Sequence, residues 1–150
     1  MTTPTRPILA SSCARAASAE EARFRIDRPI GERAALVIAL DNEAAAVVDR
    51  VAELPWHGAR FFRGPDALDL ERELVDADVA IMVATADADG DVAETIARAC
   101  AARGIMTSGL VLGEQLDVSA AVSALRPYAR NLMVTGDEED IAAVLTALRA

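Results

Sequence analysis

The stretch from Ala77 to Gly113 constrains the chain most, because it reads in order as a buried strand, an acidic turn, a helix and a second buried strand. Val79 to Ala84 is a continuous apolar run of strand length. The turn Thr85-Ala86-Asp87-Ala88-Asp89-Gly90-Asp91 leads into Asp91-Val92-Ala93-Glu94, a capping-box pattern in which Asp91 and Glu94 are expected to satisfy free N–H groups at the helix start. Val92, Ile96, Ala99, Cys100 and Arg103 fall on one helical face, with the arginine stem expected to lie over the apolar stripe. Gly104 ends that helix, and Ile105 to Leu112 forms the next strand. Strand, helix and strand in this order make one right-handed crossover of a parallel sheet.

The same unit recurs on both sides. Ala34 to Leu40 is an apolar run ended by Asp41-Asn42, after which Ala44, Val47, Val48, Val51 and Leu54 repeat at helical spacing up to Pro55. Gly58 to Arg63 supplies a second strand around Phe61-Phe62, and Gly64-Pro65-Asp66 opens a helix carrying Leu70, Leu74 and Ala77. Asp117 to Leu125 reads as a fourth helix stopped by Pro127, Asn131 to Thr135 as a fifth strand, and a last helix begins at Asp137 with Ile141, Val144, Leu145 and Leu148 on one face. Strands apolar throughout are expected to be buried on both faces. Residues 31–150 are therefore expected to form one α/β domain, a Rossmann-like three-layer sandwich with a five-stranded parallel sheet. Strand orders 3-2-1-4-5 and 2-1-3-4-5 both remain open. Residues 1–30, with Pro4, Pro7 and Pro29 and no sustained periodicity, are expected to be a peripheral extension.

Composition excludes several chemistries. The 150 residues are enough to bury roughly 68–70% of the surface an unfolded chain exposes. All 15 basic residues are arginine. Without lysine there is no Schiff-base lysine, no lysine general base and no phosphate-contacting lysine of a P-loop. A net charge of −9 repels nucleic-acid backbone and anionic membrane surfaces, so neither is an expected partner. Cys13 and Cys100 have no metal-type spacing and are expected to be unpaired thiols of a cytoplasmic protein. His57 reads as a turn residue, Thr107 and Ser108 as strand hydroxyls bonded to backbone, and no nucleophilic triad is identifiable.

Any site is expected along the carboxyl edge of the sheet. The candidate ligand-binding residues there are Asp41, Asn42, Arg63, Thr85, Asp87, Asp89, Gly113 and Thr135. Arg60 and Arg63 flank Phe61-Phe62 as possible anion partners or surface ion pairs. Every helix starts with acid, which caps its free N–H groups and leaves fewer of them for a phosphate. Asp87, Asp89 and Asp91 alternate as hard oxygen donors, a candidate Mg²⁺ site, although an EF-hand loop is excluded by Val92 at its sixth position and Arg98 at its twelfth. Two functions follow: a non-catalytic binding or interaction domain that meets a protein partner or self-associates as a homo-oligomer, or a divalent-cation-dependent nucleotide or phosphate-ester binder or enzyme using the acidic turn.

Ala77 to Ala84, Ile96-Ala97-Arg98 and Gly104 to Val111 resemble the strand-helix-strand around the signature loop of the tubulin/FtsZ superfamily, and Leu125 to Val134 is similar to its following helix and strand. The family's glycine-threonine loop corresponds to Thr85 to Asp91 with its glycines mostly gone, and its first glycine-rich turn to Asp41-Asn42-Glu43-Ala44, also without glycine. The resemblance implies a nucleotide-binding fold that has lost its phosphate loops and its GTPase activity. Receiver domains of response regulators are similar in their five-unit architecture and in acids after the first strand, here Asp41 and Glu43. Their phosphoacceptor aspartate would fall near Val83 or Ala84, and their lysine near Thr135; both are missing. Asp87-Ala88-Asp89-Gly90 resembles the nucleophile loop of haloacid-dehalogenase-type phosphatases, which carry it on the first strand and use a lysine.

Overall fold

The computed structural model describes residues 33–64, 69–114 and 117–150. Strands β1 (Ala35–Ala39), β2 (Ala59–Phe62), β3 (Val79–Ala84), β4 (Met106–Leu112) and β5 (Asn131–Thr135) alternate with helices α1 (Asn42–Ala52), α2 (Leu70–Glu73), α3 (Gly90–Ala102), α4 (Ser119–Leu125) and α5 (Glu139–Leu148). All strand pairs are parallel, in the order β2-β1-β3-β4-β5. This is a Rossmann-like α/β fold, with the second of the two strand orders left open by the sequence.

The period-2 alternation of a strand divides the apolar runs between two cores. Leu36 and Ile38 of β1 and Ala80 and Met82 of β3 face Ala93, Ile96 and Cys100 of α3 and Ala121 and Leu125 of α4. Val37, Ile81 and Val83 face the other way, against Ala44, Val48 and Val51 of α1 and Ile141 and Leu145 of α5. Every residue of β1 and β3 is buried.

The outer strands depart from the expectation of burial on both faces: β2 is half-buried throughout, and β5 exposes Asn131 and Met133. Position explains it. Among the described residues each has one neighbouring strand, and the buried helix faces pack against the central strands. β4 carries Gly109 where a Cβ would lie 2.6 Å from Leu132 Cδ1, so its lack of a side chain lets β5 approach.

Helix boundaries differ from the sequence reading in four places. The expected helix through Ala77 is one turn, α2, within the described residues; its expected opening at Pro65-Asp66 lies outside them, as do residues 1–30. α3 starts before Asp91. Its N-cap is Asp89, in extended conformation, whose carboxylate accepts from Asp91 N–H at 2.9 Å. Glu94 is then free of capping and instead accepts the Tyr128 hydroxyl at 3.1 Å and pairs with Arg98. Arg103 is exposed, its guanidinium reaching back to the Ala99 carbonyl, and does not cover the apolar stripe. α4 begins at Ser119 and α5 at Glu139, two residues after the expected starts. Among the described residues no helix is long and apolar enough to cross a membrane.

Candidate functional site

In an open parallel sheet the ligand crevice lies at the carboxyl ends of the strands, where the strand order reverses. Here that point falls between β1 and β3. β1 ends in Leu40-Asp41 and β3 in Ala84-Thr85, and the Leu40 N–H to Val83 carbonyl bond, 2.9 Å, carries the pairing of the two strands to their ends.

Asp41 spans the crevice. One oxygen accepts the Ala44 N–H at 2.8 Å, capping α1, and also the Thr85 hydroxyl at 2.8 Å; the other accepts the Thr85 N–H at 2.7 Å. Thr85 is 7% exposed, so its N–H and hydroxyl depend on this carboxylate for bonding. An α1 N-terminus that would otherwise present donors to an anion is closed by the chain's own carboxylate. Capping recurs at Asp89 for α3; at α5 the N-cap Glu138 makes no side-chain cap bond, and the preceding Asp137 carboxylate accepts the Glu139 N–H at 2.9 Å.

Beside this clasp runs an open groove of about 550 Å³. Glu43, Val47 and Arg50 of α1 form one wall, Thr85, Leu112 and Gly113 the floor, and Gly136, Asp137 and Glu138 the other wall. Arg50 spans its mouth to Glu138 with two bonds, Nε to Oε1 at 3.1 Å and a second guanidinium nitrogen to Oε2 at 2.6 Å. That bonding holds the Glu138 carboxyl below the usual carboxylate range and raises the guanidinium. Gly113 has φ +141°, and a Cβ there would meet Val118 Cγ1 at 2.6 Å, so the bend out of β4 into the groove requires glycine.

The structure brings together only part of the set named from sequence. Asp41 and Thr85 meet; Gly113 shares the groove with Thr85; Asn42, exposed, is the first residue of α1. Arg63 is held by Asp49 of α1, its Nε 2.7 Å from Oδ1. Arg60 is likewise held by Glu73, through both the carboxylate and the carbonyl. Thr135 donates to Asp140 and accepts the Asp137 N–H at 3.1 Å, serving the start of α5. Asp87, Asp89 and Asp91 belong to the turn into α3, on the sheet face opposite α1 and α5, and among the described residues no group of three or more His, Cys, Asp or Glu side chains is placed to hold a metal ion. His57 is exposed, and the Thr107 hydroxyl donates to the Tyr128 carbonyl at 2.7 Å.

Sequence reasoning names Glu43 as an acid after the first strand and Val47 as part of a helical apolar face, but it does not place these, Arg50 or Glu138 in a groove. The first three stand at i, i+4 and i+7, a helical stripe visible in the sequence, but Glu138 lies 88 residues from Arg50 and is joined to it only by the packing of α1 beside α5.

The fold and crevice define the chain as a doubly wound α/β domain of the flavodoxin-type strand order. Comparison with protein-family models finds no match, and comparison with curated proteins finds none either.

Proposed function

We propose that this domain is a non-catalytic binding module, a Rossmann-like domain without a phosphate loop, that meets a protein partner at its carboxyl edge. The observation that carries the reading is the Asp41 clasp, whose two oxygens take up the α1 N-terminus and the end of β3 at the point where such sheets bind ligands. A nucleotide phosphate entering there would displace a charge-assisted bond set and face a carboxylate. Unit charges 4 Å apart repel by about 1–4 kcal/mol in water-like to surface-like dielectric. The adjoining groove holds Glu43 and Asp137 beside the Arg50–Glu138 ion pair, a net negative lining that favours a basic side chain of a partner over an anion. The implied relation to the tubulin/FtsZ superfamily, a nucleotide fold without its phosphate turns, is compatible with this reading and is not required by it.

Two measurements test it. Thermal unfolding with Mg²⁺, GTP, ATP, NAD and phosphosugars is expected to leave the melting temperature unchanged, since only a ligand that binds the native state raises it. A rise with Mg²⁺ or a nucleotide, or measurable GTP turnover, would favour the cation-dependent alternative and refute the proposal. Binding of a labelled arginine-rich peptide, followed by anisotropy, is expected to weaken with Glu43→Gln and not with Glu71→Gln, which removes the same charge from α2. Equal effects of the two would reduce the contact to net charge alone.

A further inference from the structure

β5 is an open sheet edge. Among the described residues it pairs with β4 alone, and Met133 at its centre is 44% exposed. The Gly113 N–H donates to the Thr135 carbonyl at 2.9 Å, which with the register Leu110–Met133 directs the backbone groups of Asn131, Met133 and Thr135 toward β4 and leaves those of Leu132 and Val134 pointing away from it. Sheet edges in native proteins usually carry a charge, a proline, a bulge or a covering segment that prevents pairing. β5 reads Asn-Leu-Met-Val-Thr and has neither charge nor proline. The opposite edge is different: β2 contains Arg60, fixed by Glu73.

The ends of β5 are self-complementary. Arg130 precedes the strand and Asp137 follows it, both exposed. A parallel copy would set Arg130 beside Arg130. An antiparallel copy centred on Met133 sets Met133 against Met133, Asn131 against Thr135, and Arg130 opposite Gly136, one residue from Asp137. Like charges across strands destabilise and opposite charges stabilise, so only the antiparallel arrangement satisfies both ends. Leu132 and Val134 pack into the core on the α3–α4 side, so the two Met133 side chains would emerge together on the other face.

We propose that a second copy of this chain pairs β5 to β5, antiparallel about a two-fold axis at Met133, and joins two five-stranded sheets into one. The contact is isologous and closes at a dimer. It rests on the sheet edge and not on the groove, so its failure leaves the reading of the carboxyl edge standing.

Sedimentation velocity on the full chain, up to about 200 µM, tests it through the concentration dependence of the mass. The expected result is a species of twice the chain mass, reduced to single-chain mass by Met133→Lys, which sets two ammonium groups against each other at the axis. The variant's circular dichroism should stay native, because the Met133 side chain is exposed and its replacement leaves the backbone bonds to β4 in place. Should it fail to fold, Asn131→Lys, fully at the rim of the same edge, gives the same readout. Arg130→Asp tests the register and is expected to raise the dimer dissociation constant several-fold at low salt. A wild-type chain that keeps single-chain mass over the whole range overturns the proposal. So does a dimer that survives the lysine substitution, and a dissociation constant unmoved by Arg130→Asp overturns the antiparallel register.

Discussion

Replacing Asp41 with alanine removes three acceptor contacts at once, and the structure lets their cost be worked out. Loss of the α1 cap is worth about 0.5–2 kcal/mol. The Thr85 N–H, in a residue 7% exposed, then has no acceptor, and an unsatisfied buried donor costs about 1–3 kcal/mol. The hydroxyl of Thr85 can rotate and recovers part of its own loss, so the total is about 2–4 kcal/mol. With a urea slope of about 2 kcal/mol per molar, the unfolding midpoint followed by circular dichroism should fall by about 1–2 M with the slope unchanged. Thr85→Val, which keeps the N–H and removes only the hydroxyl, should cost about 1 kcal/mol in the native background and close to nothing once Asp41 is alanine. The two substitutions are therefore expected to couple by about 1 kcal/mol in a double-mutant cycle. Additive effects, or a cost for Asp41→Ala below about 1 kcal/mol, would refute the clasp as the element that closes the crevice.

Three other outcomes are expected. Asp89→Ala should lower stability by about 0.5–2 kcal/mol and Asp91→Ala by less, since the α3 cap sits on Asp89; the reverse order in urea unfolding would return the cap to Asp91. Gly109→Ala should cost about 1–3 kcal/mol, because the new methyl meets both Leu132 and Ala129, and a neutral substitution would show that β5 can shift away freely. Burial pushes the Cys100 thiol up to about 11, partly offset by Arg103. The unfolded thiol ionises at lower pH, so this contribution to stability is full below the unfolded pKa and is lost as pH climbs toward about 11, with Tyr128, raised by its bond to Glu94, acting in the same direction. In a Cys13→Ser background, Cys100 should resist alkylation at neutral pH until the protein unfolds; rapid labelling of the native chain would contradict its burial.

What the sequence determined by itself is the part written in local patterns. The apolar runs at Ala35–Ala39 and Val79–Ala84, buried along their whole length, announced parallel strands covered on both faces, and the spacing of Ile141, Val144, Leu145 and Leu148 announced the face of α5. Asp41 was legible as a cap for the same reason, since its partner Ala44 is three residues away. Strand order was not legible, because a crossover helix fixes handedness and leaves open which neighbour a strand will choose. Everything that makes a site depended on that choice. Only when β1 lies beside β3 do Asp41 and Thr85 meet across 44 residues, and only when α1 and α5 cover the same face does Arg50 reach Glu138 across 88. The acidic turn from Thr85 to Asp91, so prominent as letters, divides in space: Thr85 joins the crevice while Asp89 caps α3. Side chains adjacent in sequence were separated by the strand-to-helix turn, and side chains far apart were brought into contact by sheet pairing, which acts through backbone hydrogen bonds that no residue's identity specifies.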